Sequence, residues 1–199
     1  MKWYKYDIRD LTQEEYEQWY SLMSFEKKQR VDRFRFMDDK KRTVVGEMLA
    51  RKAIAEWCHV SEEDIKFGLS EYGKPFAIGL DVEFNISHSG DLVVCAVDNK
   101  PVGIDIERIR PMDLNLIQPI CMEQEIEYIL VDNPREDIFC KITNDFVLSR
   151  FFEAWTLKEA YGKLMGTGIT KRCVGNVFNL CNVSKYMLDE YVMTICTEL

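Results

Sequence analysis

Two acidic residues at alternating positions of one short segment are the first feature of the sequence that could support chemistry. Residues 102–107 read VGIDIE, so a strand here would place Gly103, Asp105 and Glu107 on one face and the apolar residues on the other. Neighbouring like charges destabilise a sheet unless a cation or a basic side chain offsets them. The segment is therefore compatible with a cation site, and also with a half-exposed strand whose outer face is acidic.

A third acidic residue, Glu159, lies in a segment with helical character. Residues 146–164 predict one long helix, and Trp155, Glu159 and Lys163 recur on it every four residues and share a face. Lys158 is the neighbour of Glu159. A surface Glu–Lys pair at this spacing contributes only about 0.2–0.5 kcal/mol, so by itself it does not indicate a site. Trp155 is compatible with either ligand contact or packing.

Charge is unevenly distributed along the chain. The whole sequence carries a formal net charge of −8, which argues against general nucleic-acid binding. Residues 27–42 nevertheless contain eight basic and three acidic residues, a local net charge of +5. Such a segment can be a solvated helix face, or it can bind a small phosphorylated ligand.

Local patterns predict the elements that must position these residues. Residues 3–8 are typical of a strand, and Thr12 with Glu15 forms a capping-box pattern that predicts a helix to about residue 23. A second helical region follows. Apolar residues at helical spacing over 43–57 then predict a core-facing helix. We expect this last helix to anchor the first half of the chain.

Apolar runs further along predict strands. Residues 92–97 are typical of a buried strand, and the turn at 98–101 predicts a hairpin that pairs it with residues 102–107. Residues 174–178 and 191–196 are also typical of strands. The acidic strand is thus expected near the middle of the fold.

Composition limits the class of protein. With 199 residues, 47% of them hydrophobic and 30% charged, the chain is long enough for one large domain or two small ones. Its longest uncharged run, residues 173–184, is far shorter than the roughly 20 apolar residues of a membrane helix. Charges near the amino terminus argue against a secretory signal. We therefore expect a cytoplasmic protein whose partners include neither nucleic acid nor membrane.

Cysteine and histidine usage limits the metal chemistry. Seven cysteines without a C-x-x-C pair argue against both a disulfide framework and a zinc ribbon. The chain has only two histidines, His59 and His88. Any metal is therefore expected to be a hard cation held by oxygen, which directs attention to the carboxylates.

Taken together, these motifs resemble the two-part signature of 4′-phosphopantetheinyl transferases. The first part is residues 102–107, and the second is residues 155–163, which read WTLKEAYGK. The resemblance covers roughly residues 1–180, and upstream it includes FNISHSG at 84–90, YGKP at 72–75 and KRT at 41–43.

The length of the chain is similar to the surfactin-synthetase type of this family, in which two halves are fused. About 100 residues precede Gly103, whereas the short, trimeric holo-acyl-carrier-protein synthase type begins near its first motif. The resemblance implies an α+β fold of two similar α/β halves, residues 1–98 and 99–199, packed as an intramolecular pseudo-dimer. Because one chain carries the basic segment, the acidic strand and the Glu159 helix, we expect a monomer.

The resemblance also implies a reaction. The 4′-phosphopantetheine group of coenzyme A is transferred to a serine of an apo acyl or peptidyl carrier protein, with Mg²⁺ required and 3′,5′-ADP released. Mg²⁺ prefers carboxylates, water and phosphate oxygens, and the implied ligands are Asp105, Glu107 and Glu159. Glu159 is also the implied base for the serine proton, directly or through water. Lys163 would stabilise charge on the leaving group.

The remaining implied roles concern the coenzyme. His88 joins Glu159 and Lys163 in the implied catalytic set, as a phosphate contact rather than a nucleophile, because no orienting carboxylate for a triad is identified. The implied coenzyme contacts are Lys27, Arg30, Thr43, Lys74, Ser87, His88, Lys158 and Lys163, of which Lys27, Arg30, Thr43 and Ser87 match the 3′-phosphate pocket. Arg30 stands where a lysine is common, which retains the charge but alters the geometry.

Two other functions would use the same residues. One is a noncatalytic coenzyme A-binding protein of the same fold, which the loss of an acidic ligand would have favoured. The other is a Mg²⁺-dependent hydrolase that cleaves the coenzyme A pyrophosphate with water as the acceptor. Consumption of coenzyme A in the absence of a carrier protein would distinguish the hydrolase.

Overall fold

The computed structural model describes residues 1–111, 121–130, 145–166 and 180–199. The strand predicted at 174–178 lies outside these ranges. Within them, no helix combines the length and the apolar character that crossing a membrane requires.

The elements alternate between helices and antiparallel strands. In chain order they are β1 (Lys2–Asp7), α1 (Gln13–Leu22), α2 (Phe25–Asp32), α3 (Met37–Cys58), a short 3₁₀ turn (Glu62–Asp64), β2 (Phe67–Leu69), β3 (Pro75–Ala77), β4 (Glu83–Ser89), β5 (Leu92–Asp98), β6 (Val102–Arg108), α4 (Glu123–Ile129), α5 (Asp145–Leu164), β7 (Asn182–Leu188) and β8 (Tyr191–Thr197). The fold is mixed α/β with small sheets.

The first sheet has the order β1–β5–β4, with both pairs antiparallel. Strand β5 is buried on both faces: Val93, Cys95 and Val97 pack into the core beneath α3, and Val94 and Ala96 pack toward the second sheet. This double burial explains why β5 is an unbroken apolar run rather than an alternating one. The predicted strands at 3–8 and 92–97 are confirmed.

The second sheet has the order β6–β8–β7, again antiparallel, and α5 packs against β6 and β8. Val102, Ile104 and Ile106 share a core cluster with residues of β5, whereas Gly103 lies against α5. The two-faced strand predicted at 102–107 is therefore confirmed, as are the strand at 191–196 and the long helix at 146–164.

The predicted hairpin between β5 and β6 is wrong. Both edges of β5 are already hydrogen-bonded, to β1 and to β4, so no edge remains for β6. Strand β6 continues into the second sheet and pairs with β8.

The two sheets are connected by hydrogen bonds between side chains of β4 and the backbone of β6. Alternate residues of β4 accept hydrogen bonds from backbone N–H groups of β6: Asn85 Oδ1 from Ile104 at 3.1 Å, Ser87 Oγ from Ile106 at 3.4 Å and Ser89 Oγ from Arg108 at 3.1 Å. We call this set of bonds the side-chain ladder. All three β4 residues are buried, so the ladder satisfies polar groups that would otherwise be costly.

Of two helices near the amino terminus, one begins where the sequence predicts and the other begins earlier. Thr12 caps α1, with its side chain accepting from the Glu15 N–H at 3.2 Å and its own N–H donating to the Glu15 carboxylate at 3.0 Å. The predicted capping box is confirmed. Helix α3 begins at Met37, six residues before the predicted start, because its first turns carry charged residues that give no apolar period.

Gly103 sets the separation between β6 and α5. A Cβ atom at this position would lie 2.5 Å from the backbone nitrogen of Leu164 and would overlap the carbonyl group of Ala160. Because these neighbours are backbone atoms, they can move only if the whole helix moves. A glycine is therefore required for α5 to approach β6 this closely.

We predict that Gly103→Ala separates α5 from β6 and lowers the free energy of unfolding by about 1–3 kcal/mol or more. The matched control is Gly46→Ala in α3, where the added methyl group would meet the Ile86 side chain at 3.3 Å. That side chain can shift, and alanine is favoured over glycine in a helix by about 1 kcal/mol, so the control should lose little stability. Urea denaturation of both variants checks this, and equal stabilities would contradict it.

Candidate active site

Asp105 is the buried centre of the site. Its side chain is almost inaccessible, at 4% exposure, and its Oδ1 atom accepts hydrogen bonds from Ser87 Oγ at 2.7 Å and from Lys163 Nζ at 2.6 Å. Its Oδ2 atom is buried and makes no hydrogen bond within the described parts of the chain. Burial raises the pKa of Asp105, while Lys163 and Ser87 oppose that rise. The site thus contains a desolvated carboxylate with one oxygen still available.

Lys163 links the helix to both strands. Besides Asp105, its Nζ atom donates to Ser87 Oγ at 2.9 Å and to the carbonyl oxygen of Ile104 at 3.2 Å. An ammonium group has three donors, and these three contacts use all of them. Any new acceptor must therefore replace one of these contacts.

Two further carboxylates lie near Asp105. Glu107 follows it on the same face of β6 and accepts a hydrogen bond from Ser89 Oγ at 2.7 Å. Glu159 lies one turn before Lys163 on α5, and its pKa is raised, first by burial and then by the negative charge of Asp105. The three carboxylates are close enough to influence one another electrostatically.

The structure brings the three predicted magnesium ligands near one another without gathering them into one group. In the described ranges, no three His, Cys, Asp or Glu side chains are grouped as metal ligands. One oxygen of Asp105 is bound instead by Lys163. The all-oxygen donors and the unpartnered Oδ2 atom nevertheless fit Mg²⁺, which takes a few carboxylates and completes its octahedron with water and phosphate oxygens.

His88 lies on β4 beside the first turns of α3. The residue is exposed, but partial burial of the imidazole lowers its pKa, and the positive charges of Arg42 and Lys163 lower it further. Arg42 is fixed by hydrogen bonds to the Gly90 carbonyl oxygen at 2.7 Å and to Asp39 at 2.5 Å. Thr43 donates its hydroxyl to the Asp39 carbonyl oxygen at 2.9 Å, within the helix. His88 and Arg42 thus bring further nitrogen donors to this side of the site.

A separate cavity of about 330 Å³ contains the first basic residues of the charged segment. Lys27 and Arg30 of α2 line it together with apolar side chains that include Phe67 and Phe84. Lys74 is the neighbour of Pro75, another residue that lines the cavity. The Lys74 side chain forms an ion pair with Glu83 at 3.4 Å. Cations beside apolar walls are suited to a ligand that joins a phosphate to an aromatic ring.

The structure separates the predicted coenzyme contacts into groups. Lys27 and Arg30 share the cavity, with Lys74 next to its wall, whereas Ser87 and Lys163 meet at Asp105. Thr43 and Ser87 are not among the cavity-lining residues.

Lys158, a predicted coenzyme contact, faces α4 rather than the other predicted contacts. Its Nζ atom donates to Glu125 Oε2 of α4 at 2.7 Å, and the two residues are 5% and 2% exposed. Successive residues of a helix are rotated by about 100°, so Lys158 faces α4 while Glu159 faces the site. Lys158 therefore holds α4 against α5.

Trp155 has the surroundings of a packing residue. It lies half-buried against a core cluster of α4 and α5, and its ring stacks on Phe151 with centroids 6.3 Å apart. Of the two alternatives for Trp155, these contacts favour packing.

The sequence is similar to known protein families and to individual proteins. A family model described as "4′-phosphopantetheinyl transferase, N-terminal" matches residues 10–100, and one described as "4′-phosphopantetheinyl transferase superfamily" matches residues 101–196. The 4′-phosphopantetheinyl transferase gsp of Aneurinibacillus migulanus is 42% identical over 149 residues, which span 75% of this chain and 58% of that relative.

Two further relatives align over larger shares of their own lengths. The 4′-phosphopantetheinyl transferase Sfp of Bacillus subtilis is 36% identical over 166 residues, 83% of this chain and 70% of that relative. The 4′-phosphopantetheinyl transferase psf-1 of Bacillus pumilus is 36% identical over an alignment of 201 positions, which covers 92% of this chain and 82% of that relative.

We predict that Lys158→Met destabilises the fold without weakening coenzyme binding. The change leaves the Glu125 carboxylate buried without its cation, which typically costs about 3–5 kcal/mol. In the double variant Glu125→Gln/Lys158→Met the buried charge is gone and an acceptor for the Met122 N–H remains, so most of that stability should return. Denaturation measures stability, and calorimetric titration measures coenzyme A affinity. A stable Lys158→Met protein with weakened affinity for coenzyme A would instead support a direct contact between Lys158 and the coenzyme.

Proposed function

The chain belongs to the 4′-phosphopantetheinyl transferase superfamily, and from that premise we propose that it transfers the 4′-phosphopantetheine group of coenzyme A to a carrier-protein serine. The acceptor is an apo acyl or peptidyl carrier protein, the leaving group is 3′,5′-ADP, and Mg²⁺ is required. The observation that carries the proposal is the contact between Lys163 and Asp105, which leaves Asp105 Oδ2 buried and available.

The cavity on α2 binds the adenosine end of coenzyme A in this proposal. Lys27 and Arg30 supply two positive charges for the 3′-phosphate, and charge-assisted bonds of this kind are among the strongest that proteins make. The apolar wall that includes Phe67 and Phe84 accommodates the adenine ring, with Lys74 beside it. Thr43, which was expected at the phosphate, donates its hydroxyl to the Asp39 carbonyl oxygen and does not line this cavity.

The pyrophosphate then extends toward His88 and Lys163. The lowered pKa of His88 favours its uncharged form, and the imidazole contacts a phosphate oxygen rather than attacking phosphorus. Lys163 exchanges one of its present acceptors for a pyrophosphate oxygen and stabilises the negative charge that develops on the leaving group. Asp105, Glu107 and Glu159 would hold the Mg²⁺ ion, which when bound would neutralise charge on the pyrophosphate oxygens.

Glu159 takes the proton from the serine hydroxyl, directly or through water. A carboxylate can act as this general base when it lies within hydrogen-bond reach of the hydroxyl, directly or through one water. The serine oxygen forms a bond to the phosphorus that carries pantetheine. The bond from that phosphorus to the bridging oxygen breaks, and the electron pair leaves with 3′,5′-ADP.

We further propose that the two α/β units form an intramolecular pseudo-dimer, with the boundary near residue 98, and that the chain acts as a monomer. Each unit contains one long helix packed on a three-stranded antiparallel sheet, α3 on the first and α5 on the second. Support comes from the side-chain ladder between the units, and from Ser87 and Ser89 of the first unit, which donate hydrogen bonds to Asp105 and Glu107 of the second.

The experiment is to incubate the protein with coenzyme A, Mg²⁺ and a panel of apo carrier proteins, and to measure intact masses. One carrier should gain one phosphopantetheine group on a serine, and chelation of Mg²⁺ should abolish the gain. Asp105→Asn and Glu159→Gln should each slow transfer by about 10²–10³, the scale of losing one preorganised electrostatic contact.

The matched control is Glu190→Gln, which removes a carboxylate from an exposed ion pair with Arg108 and should leave the rate within about twofold. If the carriers stay unmodified while the folded protein consumes coenzyme A, the protein is a hydrolase rather than a transferase. Carriers that stay unmodified without coenzyme A consumption would indicate a binding protein.

A further inference from the structure

Glu47 is a buried carboxylate for which the proposed reaction has no role. It lies on α3, is 7% exposed, and lines the same cavity as Lys27 and Arg30. Burying a carboxylate is unfavourable unless it is paired, and a negative charge beside a phosphate pocket would repel the ligand. Its position therefore requires an explanation in terms of its partners.

One oxygen of Glu47 is held by Arg51. The Arg51 Nη2 and Nε atoms both donate to Glu47 Oε1, at 3.0 and 3.3 Å, from one turn further along α3. Arg51 is itself fixed: its Nη1 atom donates to the carbonyl oxygens of Ile65 at 2.7 Å and Glu62 at 3.1 Å, and its guanidinium lies over the Phe67 ring. Arg51 thus neutralises Glu47 and fixes the direction of its second oxygen.

The second oxygen of Glu47 faces Lys27. The Lys27 Nζ atom lies 4.0 Å from Glu47 Oε2, which is close enough for charge attraction and too long for a hydrogen bond. No described residue accepts a hydrogen bond from this ammonium group, so its N–H donors are available to a ligand. Burial and Arg30 lower the pKa of Lys27, and Glu47 opposes this.

We propose that Glu47 is a positioning residue: supported by Arg51, it keeps the Lys27 ammonium charged and directed into the cavity, where Lys27 binds the 3′-phosphate of coenzyme A. This inference rests on the proposed function, because it names the residue through which that phosphate site is preorganised. Glu47 does not touch the ligand and acts only through Lys27.

The test compares ligands with and without the 3′-phosphate. Calorimetric titration with 3′,5′-ADP and with 5′-AMP measures binding without any transfer reaction. Glu47→Gln should weaken 3′,5′-ADP binding about tenfold, the scale of one charge-assisted bond, and leave 5′-AMP binding unchanged. With coenzyme A as substrate, KM should rise and kcat should not change.

The sign of the effect separates positioning from simple charge repulsion. Removing a carboxylate near a phosphate should tighten binding if only the overall charge matters. Glu26→Gln removes a carboxylate from the wall of the same cavity without touching Lys27, and should bind 3′,5′-ADP at least as tightly as the unaltered protein. Tighter binding by Glu47→Gln as well would overturn the proposal.

A double variant tests whether Glu47 acts through Lys27. Lys27→Met alone should weaken 3′,5′-ADP binding, and adding Glu47→Gln should cause no further loss. Additive losses, or weakened 5′-AMP binding, would assign Glu47 a general structural role and overturn the proposal.

If Glu47→Gln does not fold, Glu47→Asp is used instead, because it keeps a negative charge near Arg51 but withdraws the carboxylate from Lys27. Selective loss of 3′,5′-ADP affinity in Glu47→Asp supports the proposal, and unchanged affinity overturns it.

The same measurements distinguish failure of this inference from failure of the proposed function on which it rests. If the unaltered protein binds neither coenzyme A nor 3′,5′-ADP, the proposed function fails and the inference fails with it. If the unaltered protein prefers 3′,5′-ADP to 5′-AMP and Glu47→Gln keeps that preference, only the role of Glu47 is overturned.

Discussion

The hydrogen bonds between β4 side chains and β6 backbone are the interaction on which the rest of the structure depends. Strands β4 and β6 lie at the edges of different sheets, beside β5 and β8 respectively, and no backbone pairing joins them to each other. The side-chain ladder joins them instead and buries Asn85, Ser87 and Ser89 where the two sheets meet. Two of those hydroxyls also donate to Asp105 and Glu107. The contact that joins the sheets therefore also orients the acidic residues.

Close packing of α5 on β6 completes this arrangement. Because Gly103 has no side chain, the helix backbone lies directly against the strand, and Lys163 reaches Asp105, Ser87 and the Ile104 carbonyl oxygen at once. The desolvation of Asp105 is partly offset by this ammonium group, which explains how several carboxylates can lie together in a partly buried region. The cavity that contains Glu47, Lys27 and Arg30 follows the same pattern, since buried carboxylates and cations again occur as neighbours.

Sequence patterns predicted the features that depend on the geometry of a single strand or helix. The alternation at 102–107, the capping box at Thr12 and the shared helical face of Glu159 and Lys163 depend only on the geometry of one strand or helix. The partner of β5 could not be predicted in this way, because pairing depends on which strand edges are free in the whole molecule.

The polar residues at 85, 87 and 89 show the same limit. Their alternation is that of a half-exposed strand, yet these are the buried positions, because another strand covers them. Lys158 beside Glu159 could be assigned to the site from the motif, but its burial against Glu125 depends on where α4 lies. The pairing of Glu47 with Lys27 likewise joins two helices and leaves no trace in either segment alone.

The double use of Ser87 has an evolutionary consequence. Its hydroxyl accepts from the Ile106 N–H and the Lys163 ammonium group while donating to Asp105. Only a side chain that donates and accepts at the same atom can replace it without leaving a buried group unsatisfied. Position 87 is therefore constrained at once by assembly and by chemistry, and divergence in how the two sheets join cannot proceed independently of divergence at the site.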